Sequence, residues 1–143
     1  FGVGGLPPID LKKLMQDFHS MIKERYKLGK IWRYEAHPIP IFSPADYRIG
    51  EGRVLLVGDA ASLANPFTGE GIFSSLVSGK AASEAIIKGF NESSQVIKTY
   101  KKKLKPLMSK LKELYELSMY YQSLDYEGRQ SILESYFGNV HKM

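Results

Sequence analysis

The stretch from residue 53 to residue 72 constrains this chain more than any other. It reads Arg-Val-Leu-Leu-Val-Gly-Asp-Ala-Ala-Ser-Leu-Ala-Asn-Pro-Phe-Thr-Gly-Glu-Gly-Ile. Its first part, Val54-Leu55-Leu56-Val57, is a compact apolar run, the pattern of a strand covered on both faces. That run leads straight into Gly58-Asp59 and two alanines. Small neighbours let a bound group approach the backbone, and a carboxylate at a strand end accepts hydrogen bonds from hydroxyls. Further on, Thr68-Gly69-Glu70-Gly71 opens a helix predicted over residues 70–88. Glycines there leave N–H groups exposed at the positive end of the helix dipole, where negative charge is stabilised. Either piece alone is an ordinary turn or helix start. With only eight residues between Asp59 and Thr68, strand, carboxylate, tight loop and helix N-terminus form one unit.

Such a unit suits a flavin. The ribityl chain offers hydroxyls to the carboxylate, and a reduced ring carries negative charge across N1 and the C2 carbonyl, facing the helix start. Glu70 reads as a first-turn residue that complements the helix dipole, not as an acid catalyst.

The rest of the chain reads as helices with a few extended segments. Phe1–Leu6 resembles the end of a strand, broken by Pro7-Pro8. Asp10 can cap a helix whose apolar positions Leu11, Leu14, Met15, Phe18 and Ile22 keep helical spacing, with Gly29 as its stop. Residues 31–42 look extended, and Pro38 and Pro40 suit an edge strand or loop. Residues 48–52 form a polar turn. Gly89 stops the helix at 70–88, and Asn91 can cap another whose stripe runs from Val96 to Tyr115, with Pro106 expected to kink or divide it. A last helix is predicted over 127–137. The fold class is therefore α+β, helix-rich with a few strands. Three parts are expected: 1–50 with substrate-domain strands and a helix, 51–90 as the second half of a cofactor domain, and 91–143 as a helical extension.

Composition narrows the function. Cysteine is absent, so disulfides, thiolate metal sites and cysteine nucleophiles are excluded within the chain, and a reducing, cytoplasmic setting fits. No apolar run is long enough for a membrane-spanning helix. His19, His37 and His141 have no metal-ligand spacing, and Ser62, Ser74, Ser75 and Ser78 have no histidine partner at recognisable spacing. Neither a metal site nor a catalytic residue is assigned. Trp32, Tyr34 and Phe42 read as core, or as lining of a lipid cavity. The net charge of +5 is concentrated in seven lysines between 98 and 112. Their first reading is a solvated helix face; the second is a peripheral membrane contact through Lys98, Lys101, Lys102 and Lys103. No nucleic-acid motif accompanies them, so a nucleic-acid partner is not expected.

The segment resembles the second FAD-binding motif of the flavoprotein superfamily that includes aromatic hydroxylases, halogenases and geranylgeranyl reductases. The fuller pattern, Gly58-Asp-Ala-Ala61 through Asn65-Pro-Phe-Thr-Gly-Glu-Gly-Ile72 to Ser78-Gly-Lys-Ala-Ala82, is most similar to the geranylgeranyl reductase branch. Phe1-Gly-Val-Gly-Gly5 and Pro38-Ile-Pro40 support it, so the resemblance covers about residues 1–90. It implies the C-terminal part of an FAD-binding oxidoreductase. Asp59 would bind a ribityl hydroxyl, with Gly58 and Ala60 close to the pyrophosphate and ribityl chain. Pro66 would shape the loop near the ring, and the N–H groups around Gly69, Gly71 and Ile72 would face N1 and the C2 carbonyl.

The implied activity is reduction of isolated double bonds in a polyprenyl group by hydride from reduced flavin, with an unspecified electron donor. A flavin monooxygenase or halogenase is the rival within enzymes. A non-enzymatic lipid- or partner-binding helical module is the rival outside them. Such flavoproteins also carry a Gly-x-Gly-x-x-Gly unit and a ribose-binding acid for the ADP half of the cofactor. This chain has neither, so it is expected to be a fragment with an incomplete FAD site.

Overall fold

The computed structural model describes residues 3–5, 8–90 and 92–137. The expectations for Phe1, Gly2, Leu6, Pro7, Asn91 and His141 lie outside the described residues. The chain divides into two compact units, Phe1–His37 and Pro38–Met143.

The first unit is built on α1, Leu11–Arg25. Asp10 caps it as expected, its carboxylate accepting the Lys12 and Lys13 N–H groups at 3.0 Å each. The helix ends earlier than Gly29. Lys27 adopts a left-handed φ of 49°, and the Leu28 N–H reaches back to the Lys23 carbonyl at 3.0 Å. These contacts form a Schellman-type cap, with lysine where glycine is the usual occupant. Trp32 and Tyr34 are exposed, so neither belongs to a core. His19 is half-buried and lines a shallow groove with Lys23, Ile31 and Tyr34.

The second unit is a helix-rich α+β assembly with one two-stranded antiparallel sheet. Strand β1 (Gly50–Glu51) pairs with β2 (Val54–Leu55) in the register Gly50↔Leu55 and Glu51↔Val54. The polar turn at 48–52 is thus half strand, and Gly52 supplies the positive φ of 58° that a two-residue hairpin loop requires. The run 54–57 does not become a strand covered on both faces. Only Val54 and Leu55 join the sheet, and Val54 is 61% exposed. Among the described residues no second strand flanks β2, so only one ladder edge is used. Residues 31–42 contribute a single parallel bridge, Ile41↔Ala64.

Helices α2 (Ile72–Gly89), α3 (Ser93–Ser123) and α4 (Tyr126–Phe137) complete the unit. The core lies between α2 and α3. α2 offers a face of small residues, Ser74, Ser78, Ala81, Ala82, Ala85 and Gly89, all buried. α3 fills it with Tyr100, Leu104, Leu107 and Leu111, also buried, while Phe42, Ala61 and Leu63 close the end. Small against large lets the helix axes approach closely. A Cβ at Gly89 would stand 2.9 Å from the Val96 backbone nitrogen. Each buried leucine contributes roughly 1.5–3 kcal/mol of transfer free energy before the entropy of ordering is subtracted.

Pro106 does not divide α3, which runs unbroken through 31 residues. The proline is exposed, so the Lys102 carbonyl it deprives of a partner can turn to water. Packing of Leu104, Leu107 and Leu111 on α2 holds the helix together across it. Opposite the core, α2 shows Ile72, Phe73, Leu76 and Ile87 to solvent, as it does its C-cap residue Phe90, each more than 60% exposed. No described helix is long and apolar enough to cross a membrane.

Candidate cofactor site

The predicted site residues converge around the start of α2. After β2 the chain enters a 3-10 turn, Gly58–Ala61, in which Gly58 has φ of 52°. A side chain there is excluded twice, by the left-handed backbone and by Ser75, whose Oγ would lie 2.4 Å from an added Cβ. Gly58 is buried, and its N–H donates to Ser78 Oγ at 2.9 Å. The Ser78 hydroxyl in turn donates to the Ser74 carbonyl at 2.6 Å. The Gly58 carbonyl accepts the Leu63 N–H at 3.1 Å and the Asp59 carbonyl accepts the Ser62 N–H at 2.9 Å, which closes the turn.

This closure leaves Asp59 and Ala60 exposed. The Asp59 carboxylate leans over Gly71 so closely that a Cβ on the glycine would stand 2.8 Å from Oδ1. The carboxylate has no hydrogen-bonding or ionic partner among the described residues. Nor do the Gly71 and Ile72 N–H groups have a protein acceptor there. An open carboxylate thus faces open helix N–H groups across a glycine with no side chain.

The intervening loop is tied internally. Asn65 Oδ1 accepts the Phe67 and Thr68 N–H groups at 2.8 and 3.2 Å, its carbonyl accepts the Gly69 N–H at 2.8 Å, and its N–H donates to the Glu70 carbonyl at 2.7 Å. Gly69 takes φ of 74°, as the tight turn into α2 demands. Glu70 Oε1 accepts the Phe73 N–H at 2.8 Å, so it caps the first turn of the helix. Pro66 is buried, and its carbonyl accepts the Ser118 hydroxyl at 3.0 Å. Phe67 stacks edge-on against Tyr121, centroids 5.4 Å apart, and the Arg129 guanidinium covers the same tyrosine. Tyr100 donates to the Leu56 carbonyl at 2.7 Å, just ahead of the turn. Burial pushes its phenol up to about 12, so it remains a donor at ordinary pH.

The helical extension therefore braces the candidate site through Tyr100, Ser118 and Tyr121, none of which sequence reasoning had assigned. Ser118 and Tyr121 act on a loop about 50 residues away, and no local pattern announces that contact. Ser78 had a visible signal, a hydroxyl among the small residues of α2. The lysines expected at a membrane contact, Lys98, Lys101, Lys102 and Lys103, are all exposed, and Lys103 is paired with Glu84 on α2.

Comparison with known proteins bears on this region. The chain is 45% identical over 80 residues to a chloroplastic geranylgeranyl diphosphate reductase of Oryza sativa, covering 56% of this chain and 17% of that protein. It is 40% identical over 88 residues to the chloroplastic geranylgeranyl diphosphate reductase of Arabidopsis thaliana, covering 62% and 18%. It is 34% identical over 82 residues to digeranylgeranylglycerophospholipid reductase 2 of Methanopyrus kandleri, covering 57% and 20%. No family model matches the chain, and no solved structure does. These relatives are reductases by name, so what the chain is similar to is a group of geranylgeranyl and digeranylgeranyl reductases. The chain spans about a fifth of the length of these relatives.

Proposed function

We propose that this chain supplies the ribityl and isoalloxazine end of an FAD site in an oxidoreductase that reduces isolated double bonds of a polyprenyl group. The observation that carries the reading is the Asp59–Gly71 juxtaposition, an open carboxylate beside open N–H groups at the start of a long helix. These residues fit a flavin. The missing Cβ at Gly71 lets the Asp59 carboxylate lie against the helix start, and Asp59 and Ala60 both stand exposed for a ligand to reach. Relatives named for reduction of geranylgeranyl groups support the substrate class.

In this reading Asp59 accepts hydrogen bonds from ribityl hydroxyls, while Gly58 and Ala60 let the chain pass close to the backbone. The N–H groups of Gly71 and Ile72 stabilise negative charge at N1 and the C2 carbonyl, with Gly69 setting their direction. Pro66, held by Ser118, fixes the loop beside the ring. Bound flavin supplies the hydride chemistry, so the protein's part is position and electrostatics. The ADP half of the cofactor would be held by chain beyond these 143 residues, as would most of the substrate.

The test is bound flavin and product analysis on the full-length protein that carries this chain, supplied with a geranylgeranyl substrate and a reductant. Bound FAD with a product two hydrogens heavier per reduced double bond is expected. A hydroxylated or halogenated product would move the protein to the rival enzyme classes, and absence of flavin would remove it from all three.

A further inference from the structure

On a different face of the second unit, α3 and the segment at 47–49 enclose a groove of about 490 Å³, with a floor of Tyr47, Ile49, Leu104 and Met108. The floor is held from behind. Leu104 is a core residue, Tyr47 packs on buried Phe42 with centroids 5.6 Å apart, and the Ile49 carbonyl accepts the Leu56 N–H. The Arg48 guanidinium donates to the Ala45 and Tyr47 carbonyls at 3.1 and 2.8 Å, which pins the bend of the segment. Along α3 the groove is edged by Lys98, Lys101, Lys102 and Lys105, which recur at i, i+3, i+4 and i+7 on one helical face. None has a carboxylate partner among the described residues, although Lys103 and Lys110 on the same helix are both paired. Like charges on adjacent turns repel one another, and a row of negative groups from outside would relieve that repulsion.

We infer that this groove docks an acidic, amphipathic segment of a partner protein, its carboxylates along the lysine edge and its apolar side chains on Tyr47, Ile49 and Met108. Spacing selects a chain over a single anion. Lys98 and Lys105 are separated by about 10 Å along the helix axis, too far for one anionic group to reach both. Carboxylates one and two turns apart on a partner segment match that span, and their charge complements the edge. The floor selects a protein over other polyanions. Nucleic-acid phosphates or bilayer headgroups would engage the ammonium groups and leave Ile49 and Met108 wet. Apolar side chains projecting from a docked segment fill the floor at the same time as its acids meet the lysines. Edge and floor stand on a packed helix and an anchored segment, so little ordering cost falls on this side. The groove shares no residue with Gly58–Ile72 and does not depend on the flavin reading.

The test is calorimetric titration of the full-length protein with a helical peptide that carries a stripe of glutamates beside a stripe of leucines. A second peptide replaces the leucines by serine, and vesicles of anionic lipid form a further arm. The glutamate–leucine peptide is expected to bind, with the serine peptide at least about tenfold weaker. Lys101→Gln/Lys105→Gln should weaken the glutamate–leucine peptide at least about tenfold, and its melting temperature should not fall, because like-charge repulsion is removed. Lys88→Gln/Lys110→Gln removes the same charge from exposed positions that do not line the groove, and should cost less than about threefold. Equal binding of the two peptides would overturn the inference, leaving a charged surface without a docking floor. Equal losses in the two variants would overturn it as well. Binding to anionic vesicles without binding to the glutamate–leucine peptide would overturn it in favour of a membrane surface, and binding to neither would overturn it outright.

Discussion

The Ser118 hydroxyl donates to the Pro66 carbonyl at 3.0 Å, across 52 residues of sequence, and both residues are buried. This bond joins the C-terminal part of α3 to the loop between the 3-10 turn and α2. Ser118→Ala would leave a buried carbonyl without its donor, a change that destabilises by about 1–3 kcal/mol. Urea unfolding measures it. Because Ser118 does not touch the cradle, flavin retention in the full-length protein should fall only through the loosened loop, and the Ser118→Thr variant should recover both.

Two glycines make opposite predictions. Gly58→Ala forces a left-handed conformation on alanine and drives its Cβ to within 2.4 Å of Ser75 Oγ and 3.3 Å of the Ser75 Cα. A loss of about 2 kcal/mol or more is expected. At Gly79, inside α2, an added Cβ meets nothing within 4 Å. Gly79→Ala should stabilise by about 0.5–1 kcal/mol through backbone entropy. Melting curves of the two variants, side by side, check the local geometry on which the site depends.

Glu84 titrates low in the fold. The hydrogen bond from Lys103 and then its charge hold the carboxyl below its usual range, with a smaller contribution from Lys80 at 3.9 Å. A carboxyl depressed in the folded state contributes stability that is full above its unfolded pKa and is lost as pH falls through the folded one. Stability measured from pH 6 down to pH 3 should therefore drop more steeply for the native chain than for Glu84→Gln. Parallel curves would show that the exposed pair contributes nothing measurable.

What the sequence revealed follows the range of the interactions. The Asp10 cap, the stripe of α1 and the start of α2 near Gly69-Glu70-Gly71 are set within a few residues, and each is found in place. The convergence of Asp59 on Gly71 was also legible, because a short loop joins them. Lys27 broke the reading of α1, since a lysine in the left-handed region leaves no compositional trace. Pro106 misled because its disruption falls on the solvent side of a helix whose other face is fully packed. The run 54–57 had the composition of a covered strand, but coverage depends on neighbouring strands, and among the described residues β2 has only β1. Tyr100 reaches the site from the first part of a 31-residue helix, and Ser118 and Tyr121 reach it from the last. Only the packing of α3 on α2 brings them there.

Asp59, opposite the start of α2, is proposed to hold the cofactor. Flavin content of full-length Asp59→Ala and Glu70→Ala proteins tests it most directly. Asp59 has an open carboxylate facing the cradle, and a hydrogen bond from a ligand to a charged acceptor is worth about 1.5–3 kcal/mol, or roughly ten- to a hundredfold in affinity. Glu70 is occupied with the Phe73 N–H, and its complement to the helix dipole is worth about 0.3–1 kcal/mol. Asp59→Ala should therefore be purified largely without flavin, while Glu70→Ala keeps most of it, with both proteins folded. Equal loss in the two variants, or full retention by Asp59→Ala, would show that Asp59 does not hold the flavin.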